Sequence, residues 1–237
     1  SEMCIRDRFW DTVELPNPVP DNYREMVAIN SIPLFETQII PEFVDQARSD
    51  MAKASPEWFK AMRHVPRGFT PDNSDIEQHF VLDLDPKFQT NAWNIRSNHH
   101  YQTYQRLTGN KINRFNRIVE LGGGCGDFCR FVHDMGFEGE YVIDDLPMVS
   151  LIQQVALSGV AVNFTHHVPK PQPRTLFVAT WSMSETPLEF REIITSKLKP
   201  HNYLICYQHE FEDFSNTEYF DTWTGNREVM YDGLSSY

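Results

Sequence analysis

The chain lacks long apolar runs and any excess of basic residues. Its 237 residues include 33 acidic and 21 basic side chains, for a formal net charge of −12. That balance argues against non-specific nucleic-acid binding, which uses basic patches. No stretch approaches the roughly 20 apolar residues that span a bilayer, so no membrane partner is expected. With 41% apolar and 23% charged residues, the composition is typical of a folded globular protein.

Cysteine is also scarce, and the four cysteines form neither a metal-finger pattern nor a disulfide framework. We expect Cys125 and Cys129 to be small packed residues rather than a redox pair. His166 and His167 have no carboxylate at a spacing useful for a metal ion, so no metal is expected. The sequence shows no basic-then-apolar secretory leader, and a cytoplasmic location is the expectation.

The first half of the chain shows helical rather than strand patterns. Residues 1–8 are similar to a translated sequencing-adapter artefact and are set aside from fold reasoning. Residues 9–116 lack alternating strand patterns and are predicted to form a helical lid or substrate region. The predicted helices cover 36–54, begin at Ser55-Pro56, and cover 91–107 with an end at Gly109.

From residue 117 onward, short apolar strands alternate with helices. The predicted strands are 117–121, 140–144, 160–164, 175–180 and 203–207. The predicted helices are 127–135, 147–158, 187–198 and 216–223. This alternation predicts an α/β fold with a doubly wound, mostly parallel sheet over 117–237.

The segment R-I-V-E-L-G-G-G-C-G-D at 117–127 is the most informative in the chain. An apolar strand breaks into Gly122, Gly123, Gly124 and Gly126, and Asp127 is expected to cap the following helix. A strand, a glycine turn and a helix bring bare backbone against a ligand at the carboxyl end of the strand. The spacing is G-x-G-x-G, whereas a dinucleotide fingerprint is G-x-G-x-x-G.

Acidic residues flank this turn where a phosphate site would need cations. No lysine lies between Lys111 and Lys170, so a phosphate-binding loop is excluded. Glu120 precedes the glycines and suits a ligand with a cationic end. Asp145 ends the next strand, 23 residues after Gly122. That is close to the roughly 20-residue offset at which an acid accepts the ribose hydroxyls of an adenosine cofactor.

At these residues the chain resembles the class I S-adenosylmethionine-dependent methyltransferases. Their first motif is an acid followed by G-x-G-x-G, and their second is the acid that ends the next strand. Asp145-Leu146-Pro147 is similar to the form found in small-molecule O-methyltransferases, and residues 176–187 are similar to a segment of a bacterial sugar O-methyltransferase family. The resemblance implies S-adenosylmethionine as cofactor and a small-molecule or glycan hydroxyl as acceptor. The implied cofactor-binding residues are Glu120, Gly122, Gly123, Gly124, Gly126, Asp145 and Leu146.

Two residues are candidates for the base that takes the proton of the acceptor hydroxyl. His209 follows the strand at 203–207, and its side-chain type has an unperturbed pKa of about 6.5. Glu185 follows the strand at 175–180, although it could instead cap the next helix. Plant-type relatives place a catalytic histidine near the position of Ser184, so that role does not carry over. A surface location for His209 is the alternative.

The helix before the first sheet strand contains further candidates. Arg96 or Asn98 could reach the methionine carboxylate of the cofactor, whereas a solvated helix face is the alternative for this segment and its His99-His100 pair. His166 and His167 are expected near the adenine edge.

Class I methyltransferases usually have seven sheet strands, and here only 228–231 remains for a sixth. We therefore expect a C-terminally truncated chain with an open sheet edge that invites homodimerisation. The alternatives to a sugar O-methyltransferase are a non-catalytic S-adenosylmethionine-binding protein and a methyltransferase for phenolic, amine or other small molecules.

Overall fold

The structure is a computed structural model that describes residues 41–63, 81–211 and 213–223. Its N-terminal part contains two helices, α1 (Pro41–Met51) and α2 (Pro56–Met62). A hairpin of β1 (Val81–Asp85) and β2 (Phe88–Asn91) leads into the long helix α3 (Ala92–Thr108). The hairpin corrects the prediction that residues 9–116 lack strands. Its antiparallel pairing joins β1, where Leu82 and Leu84 alternate with aspartates, to β2, which has a single apolar residue and shows no strand pattern of its own.

Local signals in the sequence explain where these helices begin and end. The Ser55 side chain accepts a hydrogen bond of 3.3 Å from the Trp58 amide, as an N-cap does. Asn91 caps α3 in the same way through the Asn94 amide at 2.9 Å. Gly109 ends α3 with φ of 66°, a left-handed conformation that glycine adopts without steric cost. The predicted helix boundaries near Ser55 and Gly109 are confirmed.

The second part of the chain is a five-stranded parallel sheet in the order β5-β4-β3-β6-β7. Its strands are β3 (Arg117–Leu121), β4 (Glu140–Asp144), β5 (Asn163–Thr165), β6 (Thr175–Thr180) and β7 (Asn202–Cys206). The predicted α/β class with a doubly wound parallel sheet, a Rossmann-like arrangement, is confirmed. The strand order has the reversal at which such sheets bind ligands.

Helices connect three pairs of strands at the predicted places. They are α4 (Asp127–Asp134), α5 (Pro147–Ala156) and α6 (Leu188–Leu198), and the last described helix is α7 (Asn216–Asp221). Short 3-10 helices at Ile112–Arg114 and Ser182–Glu185 precede β3 and follow β6. A small hairpin of β8 (Glu210–Phe211) and β9 (Phe214–Ser215) lies between β7 and α7. None of the described helices combines the length and apolarity needed to cross a bilayer.

The core covers both faces of the sheet. Successive strand side chains point to opposite faces, so Ile118 joins a cluster with the N-terminal helices while Val119 joins one with α6 and α7. Trp58 of α2, 2% exposed, and Phe131 of α4, 1% exposed, belong to the first cluster. The helices α3 and α4 share this cluster with the sheet, the helices α1 and α2 pack against them, and Arg96 of α3 lies at the carboxyl edge.

Some predictions concern residues that the structure does not describe. The artefact at 1–8, the start of the first predicted helix at 36–40 and a strand at 228–231 lie outside the described residues. Within the described sheet, β7 pairs with β6 alone. Truncation and dimerisation stay predictions.

Candidate functional site

The sheet has a switch point between β3 and β6, where the order in which the chain adds strands reverses. From β3 the chain proceeds to β4 and β5 on one side, whereas from β6 it proceeds to β7 on the other. Open α/β sheets bind ligands at the carboxyl ends of strands beside such a switch point. The glycine turn after β3, Asp145 after β4 and Trp181 after β6 all stand at this edge.

The glycine turn is shaped by the protein's own packing. Gly122, Gly124 and Gly126 have φ of 65°, 55° and 82°, all in the left-handed region. A Cβ on Gly122 would lie 2.3 Å from Ser182 Cβ, and one on Gly126 would lie 2.6 Å from Leu157 Cδ1. Glycine is therefore required at both positions before any ligand is considered.

The prediction that Asp127 caps α4 is wrong by one residue. Gly126 occupies the N-cap with a left-handed backbone, and Asp127 is the first helical residue. Burial raises the pKa of Asp127 to about 7, and the nearby Arg96 charge opposes that shift. The Asp127 side chain is thus a partly desolvated carboxyl group at the point where the glycine turn enters α4.

Glu120 is buried beneath the turn, at 1% exposure. Its Oε2 accepts a hydrogen bond of 2.8 Å from the Tyr141 hydroxyl. Burial raises the pKa of Glu120 to about 8; the Tyr141 hydrogen bond opposes the shift, and the charges of Asp145 and Asp127 add to it. A cation placed nearby would favour the ionised form of this carboxyl group.

Arg96 of α3 brings one cation to this group of acids. Its electrostatic neighbours are the thiol of Cys206 and three carboxyl groups: Asp127, Glu120 and Glu185. Its guanidinium lies 5.7 Å from the centre of the Trp181 ring, within cation–π range. The half-buried Arg96 therefore lies at the carboxyl edge of the sheet. This location is compatible with the prediction that it could reach a ligand there.

Trp181 also lies at this edge of the sheet, although no sequence pattern singles it out. Its φ of 80° places a bulky non-glycine residue in a rarely occupied backbone region. Its amide donates a 2.8 Å hydrogen bond to the Cys206 carbonyl. Residues held in such conformations cluster at functional sites. A positive φ at a tryptophan cannot be predicted from any local sequence pattern.

Asp145 is held by two neutral donors. Its Oδ1 accepts from the Leu146 amide at 2.7 Å, and its Oδ2 accepts from Gln153 Nε2 at 2.6 Å. His166 Nδ1 lies 2.8 Å from the Asp145 carbonyl oxygen. The Leu146 side chain, 38% exposed, lies beside the carboxyl group. The predicted ribose acceptor, an apolar side chain and a histidine thus lie together.

The two candidate bases lie on neighbouring segments. His209, exposed, follows β7 by three residues, and its Nδ1 is 3.0 Å from Thr217 Oγ1. Glu185 ends the 3-10 helix that contacts β8. Partial burial raises its pKa, while Arg96 lowers it. The alternative that Glu185 caps α6 is wrong, because Pro187 occupies that N-cap and no side chain bonds there.

Asn98 and His99 of α3 contact the N-terminal helices α1 and α2. Asn98, fully buried, accepts from Trp58 Nε1 at 2.7 Å and donates to Asp50 Oδ2 at 2.9 Å. His99 stacks on Phe43 with ring centroids 3.6 Å apart. The Asn98 side chain is therefore bonded to α2 and α1 rather than directed to the carboxyl edge of the sheet, and the alternative of a solvated helix face is also wrong. These contacts join residues about 40–56 positions apart, so no local pattern reveals them.

The cysteines after the turn are packed in the core. Cys125 and Cys129 are 3% and 0% exposed, and burial raises the pKa of both thiols. Reactive cysteines need the thiolate form, so their environment supports the packing interpretation. Among the described residues, no three His, Cys, Asp or Glu side chains are grouped to hold a metal ion.

Comparisons with known proteins give likenesses in fold. No family model and no curated protein matches the chain. It is similar to coclaurine N-methyltransferase bound to N-methylheliamine and SAH, at 11% identity and a TM-score of 0.35, over 77% of this chain and 50% of that one. It is also similar to human N-acetylserotonin methyltransferase in complex with SAM, at 14% identity and a TM-score of 0.28, over 70% and 42%.

The chain spans half or less of the length of these two proteins. The strand order of the sheet defines the fold. The electrostatic interactions of Glu120 with Asp145 and Arg96 define the candidate site.

Proposed function

We propose that the protein binds S-adenosylmethionine and transfers its methyl group to an oxygen of a small molecule or glycan. The observation that carries the proposal is the grouping of Glu120, Asp127 and Asp145 around a glycine turn at the switch point of the sheet. A phosphate-bearing ligand would further disfavour the ionised form of these carboxyl groups, whereas a cationic centre would favour it. The grouping therefore suits an adenosine ligand with a cationic centre.

The residues of the crevice fit such a cofactor in separate ways. Asp145 would accept the ribose hydroxyls, because its carboxylate is already oriented by two donors. The exposed Leu146 side chain would contact the adenine ring, and His166 stands at the same end. The backbone of the turn at 122–126 would contact the amino-acid part of the cofactor. Arg96 would bind the methionine carboxylate.

Bound S-adenosylmethionine supplies a methyl group on a cationic sulfur. The protein's task is then to align the acceptor oxygen and to remove its proton. Alignment in well-oriented reactions reaches effective molarities of about 10⁵ M or more, and a positioned base adds about 10²–10⁴-fold. We assign the base to His209, with Glu185 as the second candidate on the adjoining segment.

A sugar hydroxyl is the acceptor we propose, on the strength of the sequence resemblance at residues 176–187. Phenols and amines are the competing acceptors. Arg96 and Trp181, whose guanidinium and ring centre lie 5.7 Å apart at the carboxyl edge, would border the space where an acceptor meets the methyl group. A screen of nucleotide-sugars, free glycans, phenols and amines for transfer of a labelled methyl group distinguishes these classes.

Calorimetry with S-adenosylmethionine tests the cofactor separately from the acceptor. We expect saturable binding with one site per chain. A folded protein that does not bind S-adenosylmethionine would overturn the proposal. Binding without transfer to any acceptor class would instead favour the non-catalytic alternative.

A further inference from the structure

Gln153 links the two halves of the proposed cofactor site. It lies on the inward face of α5 and is fully buried. Its Nε2 donates to Asp145 Oδ2 at 2.6 Å and to the Gly124 carbonyl oxygen at 3.0 Å. One amide group therefore joins the turn after β3 to the acid after β4.

The orientation of this amide follows from its surroundings. Both atoms that it faces, Asp145 Oδ2 and the Gly124 carbonyl oxygen, are acceptors, so the NH₂ end must point to them. The other end, Oε1, is buried and accepts no hydrogen bond from the described residues. Leaving a buried acceptor unpaired costs about 1–3 kcal/mol. The position is thus occupied by a polar side chain despite an energetic cost, which indicates a role beyond packing.

The same helix supports the turn at a second point. Leu157 directly follows α5 and packs against Gly126: a Cβ placed on Gly126 would lie only 2.6 Å from Leu157 Cδ1. Gln153 and Leu157 are one helical turn apart, so they lie on the same face. A shift of α5 would therefore move the turn and the ribose acceptor together.

We propose that Gln153 is a positioning residue for cofactor recognition: its bond to the Gly124 carbonyl anchors the amide to the turn, and its bond to Asp145 holds that carboxylate in the arrangement that the ribose hydroxyls require. The proposal rests on the proposed binding of S-adenosylmethionine. A carboxylate with a fixed plane accepts two adjacent hydroxyls without first losing rotational freedom. The charge-assisted bond to Gln153, at 2.6 Å, is short enough to fix that plane.

The test compares two ligands across three proteins by calorimetry. The ligands are S-adenosylhomocysteine and an analogue that lacks both ribose hydroxyls. The proteins are the wild type, Gln153→Met, and the control Gln154→Met at the exposed neighbouring position. Methionine keeps the length of glutamine and removes the donor.

In the wild type, we expect removal of the two hydroxyls to weaken binding about 10²-fold, since a hydrogen bond to a charged group contributes about 1.5–3 kcal/mol. In Gln153→Met, that penalty should fall below about 10-fold, while in Gln154→Met it should stay at the wild-type value. A role in packing alone would weaken both ligands equally and leave the penalty unchanged. A folded Gln153→Met variant with the full penalty overturns the inference.

A measurement on the wild type covers the case in which Gln153→Met does not fold. The Gln153 side-chain amide resonance should shift when S-adenosylhomocysteine is added and should shift less with the analogue. Equal shifts with both ligands would overturn the inference. If the wild type binds neither ligand, the proposed function itself fails, and that outcome is distinct from a failure at Gln153.

Discussion

The Tyr141 hydroxyl donates a 2.8 Å hydrogen bond to Oε2 of Glu120, across the neighbouring strands β3 and β4. Tyr141 is opposite Ile118, two residues before Glu120, so both side chains lie on the same face of the sheet. That face is the one covered by α3, from which Arg96 approaches. The bond gives the buried carboxyl group one neutral donor. The ionisation of Glu120 therefore still depends on pH and on nearby cations.

The first prediction concerns stability and pH at Glu120. The folded-state pKa of about 8 lies above the ordinary 4.5, so this group's contribution is fully present below about pH 4.5 and is lost as pH rises towards 8. Glu120→Gln removes that dependence. The free energy of unfolding of the variant, relative to the wild type, should therefore increase between pH 5 and pH 8 by about 2–4 kcal/mol.

Denaturant unfolding at several pH values measures this difference. The control is Glu138→Gln at an exposed position, for which the difference from the wild type should stay constant. A Glu120→Gln variant whose relative stability does not change with pH would show that Glu120 ionises normally in the fold.

The second prediction concerns the ribose acceptor. Asp145→Ala should weaken S-adenosylmethionine binding by about 1.5–3 kcal/mol, because the ribose hydroxyls lose a charged acceptor. Calorimetry gives the affinity, and a thermal melt confirms folding. Asp213→Ala, at an exposed aspartate far along the chain, serves as control. Unchanged affinity in a folded Asp145→Ala variant would refute the assignment.

The third prediction separates a steric clash from backbone strain. Gly122→Ala adds a Cβ 2.3 Å from Ser182 Cβ at φ of 65°, whereas Gly136→Ala adds one in open space at φ of 90°. Gly136→Ala should cost about 1–2 kcal/mol, from strain alone. Gly122→Ala should cost about 2–4 kcal/mol.

Adding Ser182→Gly to Gly122→Ala should recover part of the loss, because it removes the atom that the new Cβ meets. Urea unfolding of the single and double variants measures the coupling. Equal costs at positions 122 and 136 would mean that the turn can move away from Ser182.

The fourth prediction concerns the base. His209→Ala should lower kcat by about 10²-fold or more with little change in cofactor affinity, because a base acts in the transition state. The pH–rate profile should lose its acidic limb. Normal turnover in this variant would move the assignment to Glu185, and Glu185→Gln is the variant that then decides. If both variants keep normal turnover, the reaction relies on alignment alone.

The regular elements could be predicted because their signals are local. Strand β3, its glycine turn and α4 follow from a short apolar run that breaks into glycines and then a helical pattern. The caps at Ser55 and Gly109 depend on one or two residues each. The β1–β2 hairpin was missed although Leu82 and Leu84 alternate with aspartates in β1, because its partner β2 has a single apolar residue, Phe88, and shows no strand pattern of its own.

The sequence by itself determined which chemical groups reach the carboxyl edge: the spacing of Glu120, Gly122 and Asp145 places them there in any parallel sheet of this order. Only the tertiary structure decided what each group contacts. It turned Asn98 towards Asp50, placed Ser182 against Gly122 and put Gln153 between Asp145 and Gly124. Those contacts join residues from different elements, and packing chooses among side chains that the sequence pattern leaves equivalent.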